Sequence, residues 1–107
     1  MHNKIKKDKY SKARGGSSKL LDILCAECGS HVCFYQKDGP GLLKRMYLDR
    51  ISNSKYEGMQ SVIFNQLPQF NCPHCNSHLG TPMIYEKEDR LAFRIFIGSI
   101  SKKLVKD

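Results

Sequence analysis

The chain has 107 residues, and 18 lysines and arginines against 10 aspartates and glutamates give it a formal net charge of +8. This length fits one domain, and the absence of any run of about 18 apolar residues excludes a membrane-spanning helix. The basic N-terminus is not followed by an apolar stretch, so no secretory signal is expected. Five cysteines in so short a chain indicate that a metal or disulfides supplement a small core.

The first 20 residues are far more basic than the rest, with seven basic residues and one acidic residue. Their apolar content is too low to offset the entropy of ordering, so we predict a disordered basic arm over residues 1–18 and a folded domain over residues 19–107. Lysine-rich segments bind nucleic acid by releasing counterions from phosphates, which predicts contacts with RNA or DNA. The candidate nucleic-acid-binding residues are Lys4, Lys6, Lys7, Lys9, Lys12, Arg14, Lys19, Lys44 and Arg45.

The first half of the domain is typical of strands and turns. Residues 20–24 form a short apolar segment before the first cysteine pair, and residues 32–35 predict a strand. Gly39-Pro40-Gly41 follows Asp38, and this combination predicts a hairpin or a tight loop. Residues 42–51 then predict a second strand.

The second half is also mainly β. Residues 54–63 are compatible with a short helix opened by a capping box or with a strand. Residues 83–85 and 91–97 flank the charged turn at residues 87–90, and this is the clearest hairpin in the chain. The sequence therefore predicts a small, mainly β, antiparallel domain.

Two Cys-x-x-Cys pairs carry the chemistry of the sequence. Each pair, Cys25 with Cys28 and Cys72 with Cys75, can bind one ion from a tight turn. Gly29 and Asn76 follow the second cysteines, and both residue types tolerate the positive φ that such a turn requires. Four thiolates fit one tetrahedral structural Zn²⁺, although the same set also suits iron. The alternatives are two redox-active pairs or reduced core thiols, but thioredoxin-like use needs a βαβ context.

The two pairs are 43 residues apart, against about 15–20 in a simple zinc ribbon. We therefore expect knuckles at the ends of two hairpins, with further strands between them. A tetrathiolate site also competes with disulfide formation, which predicts a reducing, cytoplasmic location.

Cys72-x-x-Cys75-Asn76-Ser77-His78-Leu79-Gly80, with Phe96-Ile97-Gly98, resembles the β-tent family, which includes the thalidomide-binding domain of cereblon and the Yippee proteins. The resemblance implies an extended zinc-ribbon-like fold. It does not transfer the imide-binding function, because position 81 is Thr and no tryptophan is present to form a cage. Methionine-R-sulfoxide reductases share this fold and use a catalytic cysteine late in the chain. No cysteine follows Cys75 here, so the resemblance does not imply that activity.

Other candidate residues have ordinary structural interpretations beside the functional ones. Cys33 is expected to be a buried small hydrophobe, with a reactive thiol as the alternative; His31 and His78 are candidate bases for it. His74 lies within its knuckle, where an exposed position is expected rather than a metal ligand. His78 is expected to form a structural hydrogen bond.

The charged residues of the central segment leave two interpretations open. Asp49 and Arg50 are expected to form a surface pair or a hairpin-end contact. Lys44, Arg45, Tyr47 and Arg50 form either a basic, aromatic nucleic-acid face or a solvated strand face.

Three functions follow. The first is a non-enzymatic zinc module that contacts RNA, DNA or a ribonucleoprotein, with one structural Zn²⁺. The second is a protein-interaction or small-ligand module, and the third is an enzyme that uses Cys33. No paired carboxylates, glycine-rich phosphate loop or nucleophile motif supports the third.

Overall fold

The structure, a computed structural model, describes residues 18–105. The predicted arm therefore lies outside the described residues, except for Ser18, which begins the first strand. The strands are β1 (Ser18–Cys25), β2 (His31–Asp38), β3 (Arg45–Tyr47), β4 (Ile51–Ser52), β5 (Phe70–Asn71), β6 (His78–Tyr85), β7 (Arg90–Ile95) and β8 (Ile100–Leu104). Three single-turn 3-10 helices occupy Leu48–Arg50, Met59–Ser61 and Phe64–Gln66.

The strands form two four-stranded antiparallel sheets, in the orders β4-β2-β1-β8 and β3-β7-β6-β5. The hairpin β1–β2 belongs to the first sheet, and the hairpin β5–β6 belongs to the second. Each of these hairpins turns at one of the cysteine pairs. The predicted mainly β, antiparallel fold with knuckles at two hairpin ends is confirmed.

The clearest predicted hairpin is also confirmed. β6 pairs with β7 from Gly80↔Ile95 to Tyr85↔Arg90, and the charged turn lies between them. β5 pairs only with the start of β6, so among the described residues Pro82 has a partner strand on one side only. Proline, which has no backbone N–H to donate, is tolerated at such an edge position. No helix in the described part of the chain has the length and apolarity needed to cross a membrane.

The core lies between the two sheets and is organised by strand alternation. In β1, Leu21, Ile23 and Cys25 are buried while the intervening residues are partly exposed. The centre of the core is an aromatic cluster in which the Phe70 and Phe93 rings stack 4.8 Å apart. The Tyr56 ring meets both edge-on, at 5.3 and 5.2 Å. Aromatic pairs at these separations contribute about 0.5–1.5 kcal/mol beyond area burial.

Gly80 is required by the close approach of β6 to β7. A Cβ atom at this position would lie 2.5 Å from the carbonyl oxygen of Arg94, which belongs to the backbone and has no room to move. The glycine of the Ser-His-Leu-Gly stretch is thus explained by strand packing.

Two sequence-based interpretations of the central segment were wrong. Residues 42–51 do not form one strand, because the chain crosses from β2 in the first sheet to β3 in the second and returns to the first sheet at β4. The Gly39–Lys44 loop is therefore a sheet-to-sheet connection and not a hairpin turn. Residues 54–63 contain no α-helix, since only Met59–Ser61 forms a 3-10 turn and Val62 is extended.

The expected pair of Asp49 and Arg50 is present, with Arg50 Nη1 3.9 Å from Asp49 Oδ2, but it is not a surface pair. Arg50 is buried, and its Nε donates to Asp38 Oδ2 at 2.9 Å. Asp49 accepts a bond from Arg90 Nη2 at 2.7 Å, and Arg90 is buried as well. Because Arg50 and Tyr47 are both buried, neither belongs to an exposed basic, aromatic face.

Candidate metal centre

The four cysteines of the two pairs lie at the tips of two hairpins from different sheets. Cys25 ends β1 and Cys28 lies in the turn before β2, while Cys72 follows β5 and Cys75 lies in the turn before β6. The first cysteine of each pair is buried and the second is exposed. The site is therefore half inside the protein and joins the two sheets at one end.

The two turns have the same backbone hydrogen bonds. Gly29 N donates to Cys25 O at 2.8 Å, and Asn76 N donates to Cys72 O at 3.0 Å. Both residues have positive φ, 76° for Gly29 and 63° for Asn76, as predicted. The N–H of each first cysteine also bonds across its turn, Cys25 to Ser30 O and Cys72 to Ser77 O, both at 2.9 Å.

The sulfur positions fit one tetrahedral ion. All four Sγ atoms lie within 4.8 Å of one another. The distances across the two knuckles are 3.6 Å from Cys25 to Cys75 and 3.7 Å from Cys28 to Cys72. Sulfurs at about 2.3 Å from a tetrahedral Zn²⁺ are about 3.8 Å apart, whereas a disulfide needs about 2.05 Å. The four cysteines thus form a metal-binding cluster.

Hydrogen bonds at the two exposed sulfurs favour thiolates. The Ser77 hydroxyl, 3.1 Å from Cys75 Sγ, and the Ser77 backbone lower the pKa of Cys75 to about 6. Ser30 lowers the pKa of Cys28 in the same way. Burial raises the pKa of Cys25 to about 11, against backbone hydrogen bonds from Cys28 and Glu27 that lower it. A cation among the sulfurs favours the deprotonated form of all four.

These serines were missed by the sequence analysis. A shared sequence pattern could have identified them, because both knuckles have the sequence Cys-x-x-Cys-x-Ser-His. Ser30-His31 completes the first and Ser77-His78 completes the second. The histidines then begin β2 and β6. The repeat reflects the equal geometry of the two hairpin tips.

A third loop, Phe96-Ile97-Gly98-Ser99, ties the two knuckles together. Ala26 N donates to Ser99 O at 3.0 Å, and Ser99 Oγ donates to Leu79 O at 2.8 Å. Gly98 has φ 77°, which allows the tight turn. The Phe-x-Gly stretch therefore braces the metal centre from the side.

Among the described residues, neither Cys33 nor a histidine belongs to the metal-binding cluster. Cys33 is fully buried, and burial together with the nearby Asp22 charge raises the pKa of its thiol. His74 is exposed. His78 Nε2 lies 2.9 Å from Gln69 Oε1, which is the predicted structural hydrogen bond, and His31 Nδ1 lies 2.6 Å from Asp22 Oδ1. Neither histidine has Cys33 as a hydrogen-bond partner.

The arrangement predicts one metal ion per chain. Cys72→Ser should lower the bound zinc by at least an order of magnitude, because it removes a buried thiolate from a four-sulfur site. Cys33→Ser should leave one zinc per chain. Elemental analysis of the purified variants measures both, and full zinc in Cys72→Ser or lost zinc in Cys33→Ser would contradict the ligand set.

The described candidates for nucleic-acid binding surround the Gly39–Lys44 loop. Lys19 is exposed at the start of β1, and it lines a depression of about 460 Å³ with Lys37 and Lys102. Lys44 is exposed in the loop itself. Arg45 is partly buried, with its guanidinium 4.1 Å from the centre of the Tyr85 ring. The other six predicted residues, all in the arm, lie outside the described residues.

Lys37 and Lys102 were missed because they are distant from Lys19 in sequence. The register explains their proximity, since Lys19 pairs with Lys37 across β1 and β2, and Ile23 pairs with Lys102 across β1 and β8. Alternate residues of a strand share a face, so Lys19, Lys37 and Lys102 lie on one face of the first sheet.

Comparisons with known proteins leave the family open. No protein family matches the chain. No curated protein matches it either. No solved structure matches the fold. What the chain itself shows is a mainly β domain with a four-cysteine metal-binding cluster.

Proposed function

We propose that this protein is a non-enzymatic structural-zinc module that binds nucleic acid. Zinc is favoured over iron because Zn²⁺ needs only the closed tetrahedral sulfur set and no redox partner. The cluster lies at hairpin tips and its four ligands are all protein thiolates, which is the composition of structural sites. Four such thiolates require a reducing compartment, and we therefore place the protein in the cytoplasm.

The proposal for nucleic acid rests on where the basic arm enters the folded domain. Residue 18 begins β1, and Lys19 follows immediately beside Lys37 and Lys102. No carboxylate lines the depression that these three lysines border. Six basic residues precede this face in the sequence, and clustered basic residues of this kind neutralise phosphates.

The fold proposed here is that of the β-tent family. Support comes from the two hairpins joined by a tetrathiolate cluster, and from the roles of Gly80 and the Phe96–Ser99 turn described above. The sequence contains no tryptophan, so the imide-binding cage of cereblon-like domains is not part of the proposal.

The proposed function predicts a salt-dependent contribution from the arm. Deletion of residues 1–17 removes six of the basic residues. Each phosphate contact contributes about −0.7 to the slope of log affinity against log salt for single strands. If some of these six basic residues contact phosphates in the full chain, the truncated chain should show a slope about two to four units shallower. Anisotropy titrations of a short RNA and a short duplex DNA at several salt concentrations measure it.

The truncation keeps Ser18, whose Oγ donates to Asp38 at 2.6 Å, so that β1 starts intact. Zinc content and melting temperature serve as controls for folding. Lys19→Glu in the full chain should reduce affinity by several-fold, and Lys87→Glu, in the distant β6–β7 turn, should change it by less than about twofold. Equal, weak binding by full-length and truncated chains would contradict the proposal and favour a protein partner.

A further inference from the structure

We propose that the groove between β8 and residues 42–44 binds an extended acidic segment of a partner protein, which adds a strand to the free edge of β8. The inference goes beyond nucleic-acid binding by the arm, and the groove shares Lys102 with the basic face but has an apolar lining of its own. It follows from the edge of the sheet, the lining of the groove and the charges at its rim.

β8 presents an open backbone edge. Within the described residues it pairs only with β1, at the end of the order β4-β2-β1-β8. Val105 N donates to Leu20 O at 2.9 Å, so the N–H of Val105 points toward β1. Because N–H groups alternate in direction along an antiparallel strand, those of Lys102 and Leu104 point away from β1. This edge therefore offers donors and acceptors to an incoming strand.

The groove beside this edge has a volume of about 410 Å³. It lies where the edges of the two sheets diverge, with Lys44 O bound to Ile95 N at 3.0 Å on one side and β8 on the other. Its apolar lining consists of Leu42, Leu43, Ile95, Phe96, Ile97 and Ile100.

Two of these apolar side chains are unusually exposed. Leu42 has 80% of its surface exposed, and Ile97 is fully exposed. Contiguous apolar groups with polar rims commonly mark sites of protein contact. A macromolecule that covers the groove would remove both side chains from water.

The positive charge at the rim of the groove favours an acidic occupant. Lys44 and Lys102 line the groove, Lys103 follows on β8, and no carboxylate is among the lining residues. The basic arm of this chain would be repelled there. A second copy that paired antiparallel through β8 would bring lysines opposite lysines, which is unfavourable. An acidic segment gains attraction at the same positions.

The geometry also specifies the order of side chains in the partner. Ile100 and Lys102 lie two residues apart and share the inner face of β8. A paired strand should thus place an apolar side chain beside Ile100 and a carboxylate beside Lys102. Phe96 is the only aromatic ring in the lining, so the groove provides little stacking surface for successive bases. The main-chain pairing gives affinity and the side chains give selectivity.

The test uses the zinc-loaded full chain and labelled eight-residue peptides. The acidic peptide is Val-Thr-Val-Thr-Glu-Thr-Glu-Thr, used with its reversed sequence because strand direction is not assumed, and the matched control carries lysine in place of glutamate. We expect the acidic peptide, in one of the two directions, to bind at least tenfold more tightly than its lysine counterpart. Lys102→Glu should weaken this binding about tenfold, and Ile97→Asp should weaken it several-fold.

Lys87→Glu is the matched control because it changes the net charge equally and does not line the groove. It should alter peptide affinity by less than twofold, and zinc content and melting temperature should be unchanged in all three variants. Isotope-edited infrared or NMR exchange should show new protection of the Lys102 and Leu104 amides in the complex.

Four results would overturn the proposal. They are equal binding of the acidic and lysine peptides, an effect of Lys87→Glu as large as that of Lys102→Glu, complete displacement of the peptide by a single-stranded RNA even in the Lys19→Glu chain, and dimerisation through β8 at the concentrations used. The last two would assign the groove to nucleic acid or to a second copy of this chain.

Discussion

Removal of the metal by chelation at neutral pH is expected to abolish the cooperative thermal unfolding of the domain. An ion bound by the four sulfurs would join the β1–β2 hairpin to the β5–β6 hairpin, and these hairpins belong to different sheets. Without the ion, Cys25 and Cys72 remain as buried polar thiols, and the two hairpin tips are linked through the hydrogen bonds of the Phe96–Ser99 loop instead of through a shared metal.

The expected effect is large relative to the stability of a domain of this size. Apparent binding free energies of structural zinc are about 10–16 kcal/mol at pH 7, and whole domains are stable by about 5–15 kcal/mol. Calorimetry of the zinc-loaded and chelated protein measures the transition. Cys33→Ser, which leaves the cluster intact, should keep the transition when zinc is present. A sharp transition in fully demetallated protein would show that the core alone determines folding.

Replacement of Arg50 by methionine is expected to destabilise the zinc-loaded domain by about 3–5 kcal/mol. The side chains of Arg50 and Asp38 are only 1% and 5% exposed, and they form a bond of 2.9 Å. Loss of the guanidinium leaves the Asp38 carboxylate buried with its neutral donors Ser18 and Gln36 alone. Removing one partner of a buried ion pair costs more free energy than the intact pair contributes, because the remaining charge stays buried without its counter-charge. Urea denaturation with zinc present measures the change in free energy.

Two further variants test the cause. The double variant with Asp38→Asn and Arg50→Met removes both charges and keeps an acceptor for Ser18 and Gln36, so it should recover part of the loss. Arg94→Met, at an exposed position of β7, should change stability by less than about 0.5 kcal/mol. A loss in Arg94→Met equal to that in Arg50→Met, or no recovery in the double variant, would contradict the buried-charge explanation.

The same pair has a pH dependence with a defined sign. Burial alone raises the pKa of Asp38, but hydrogen bonds from Ser18, Gln36 and Arg50 outweigh it and hold the pKa below its ordinary value. A carboxyl whose pKa is lowered on folding adds stability above its unfolded pKa, which is about 3.9 for Asp. This contribution is lost as the pH falls through the lower, folded pKa, so it should be fully present at neutral pH.

Much of the metal-binding cluster and of the local strand structure follows from patterns within short segments of the sequence. Each Cys-x-x-Cys knuckle is closed by bonds within six residues, such as Gly29 N to Cys25 O, so its turn residues suffice to predict it. The β6–β7 hairpin is predictable for the same reason, because its two strands and charged turn are contiguous in the sequence. The 43-residue separation of the pairs also indicated that other strands lie between the hairpins.

Only the tertiary structure decided which strands share a sheet and which charges are buried. Residues 42–51 alternate like a strand, but Arg45–Tyr47 pairs with β7 and Ile51–Ser52 pairs with β2, and no local signal distinguishes these partners. Arg50 reads as a surface residue because its partner Asp38 precedes it by 12 positions. The face shared by Lys19, Lys37 and Lys102 likewise depends on register across three strands. Local sequence specifies turns and alternation, whereas pairing partners depend on the sum of contacts made when the two sheets pack together.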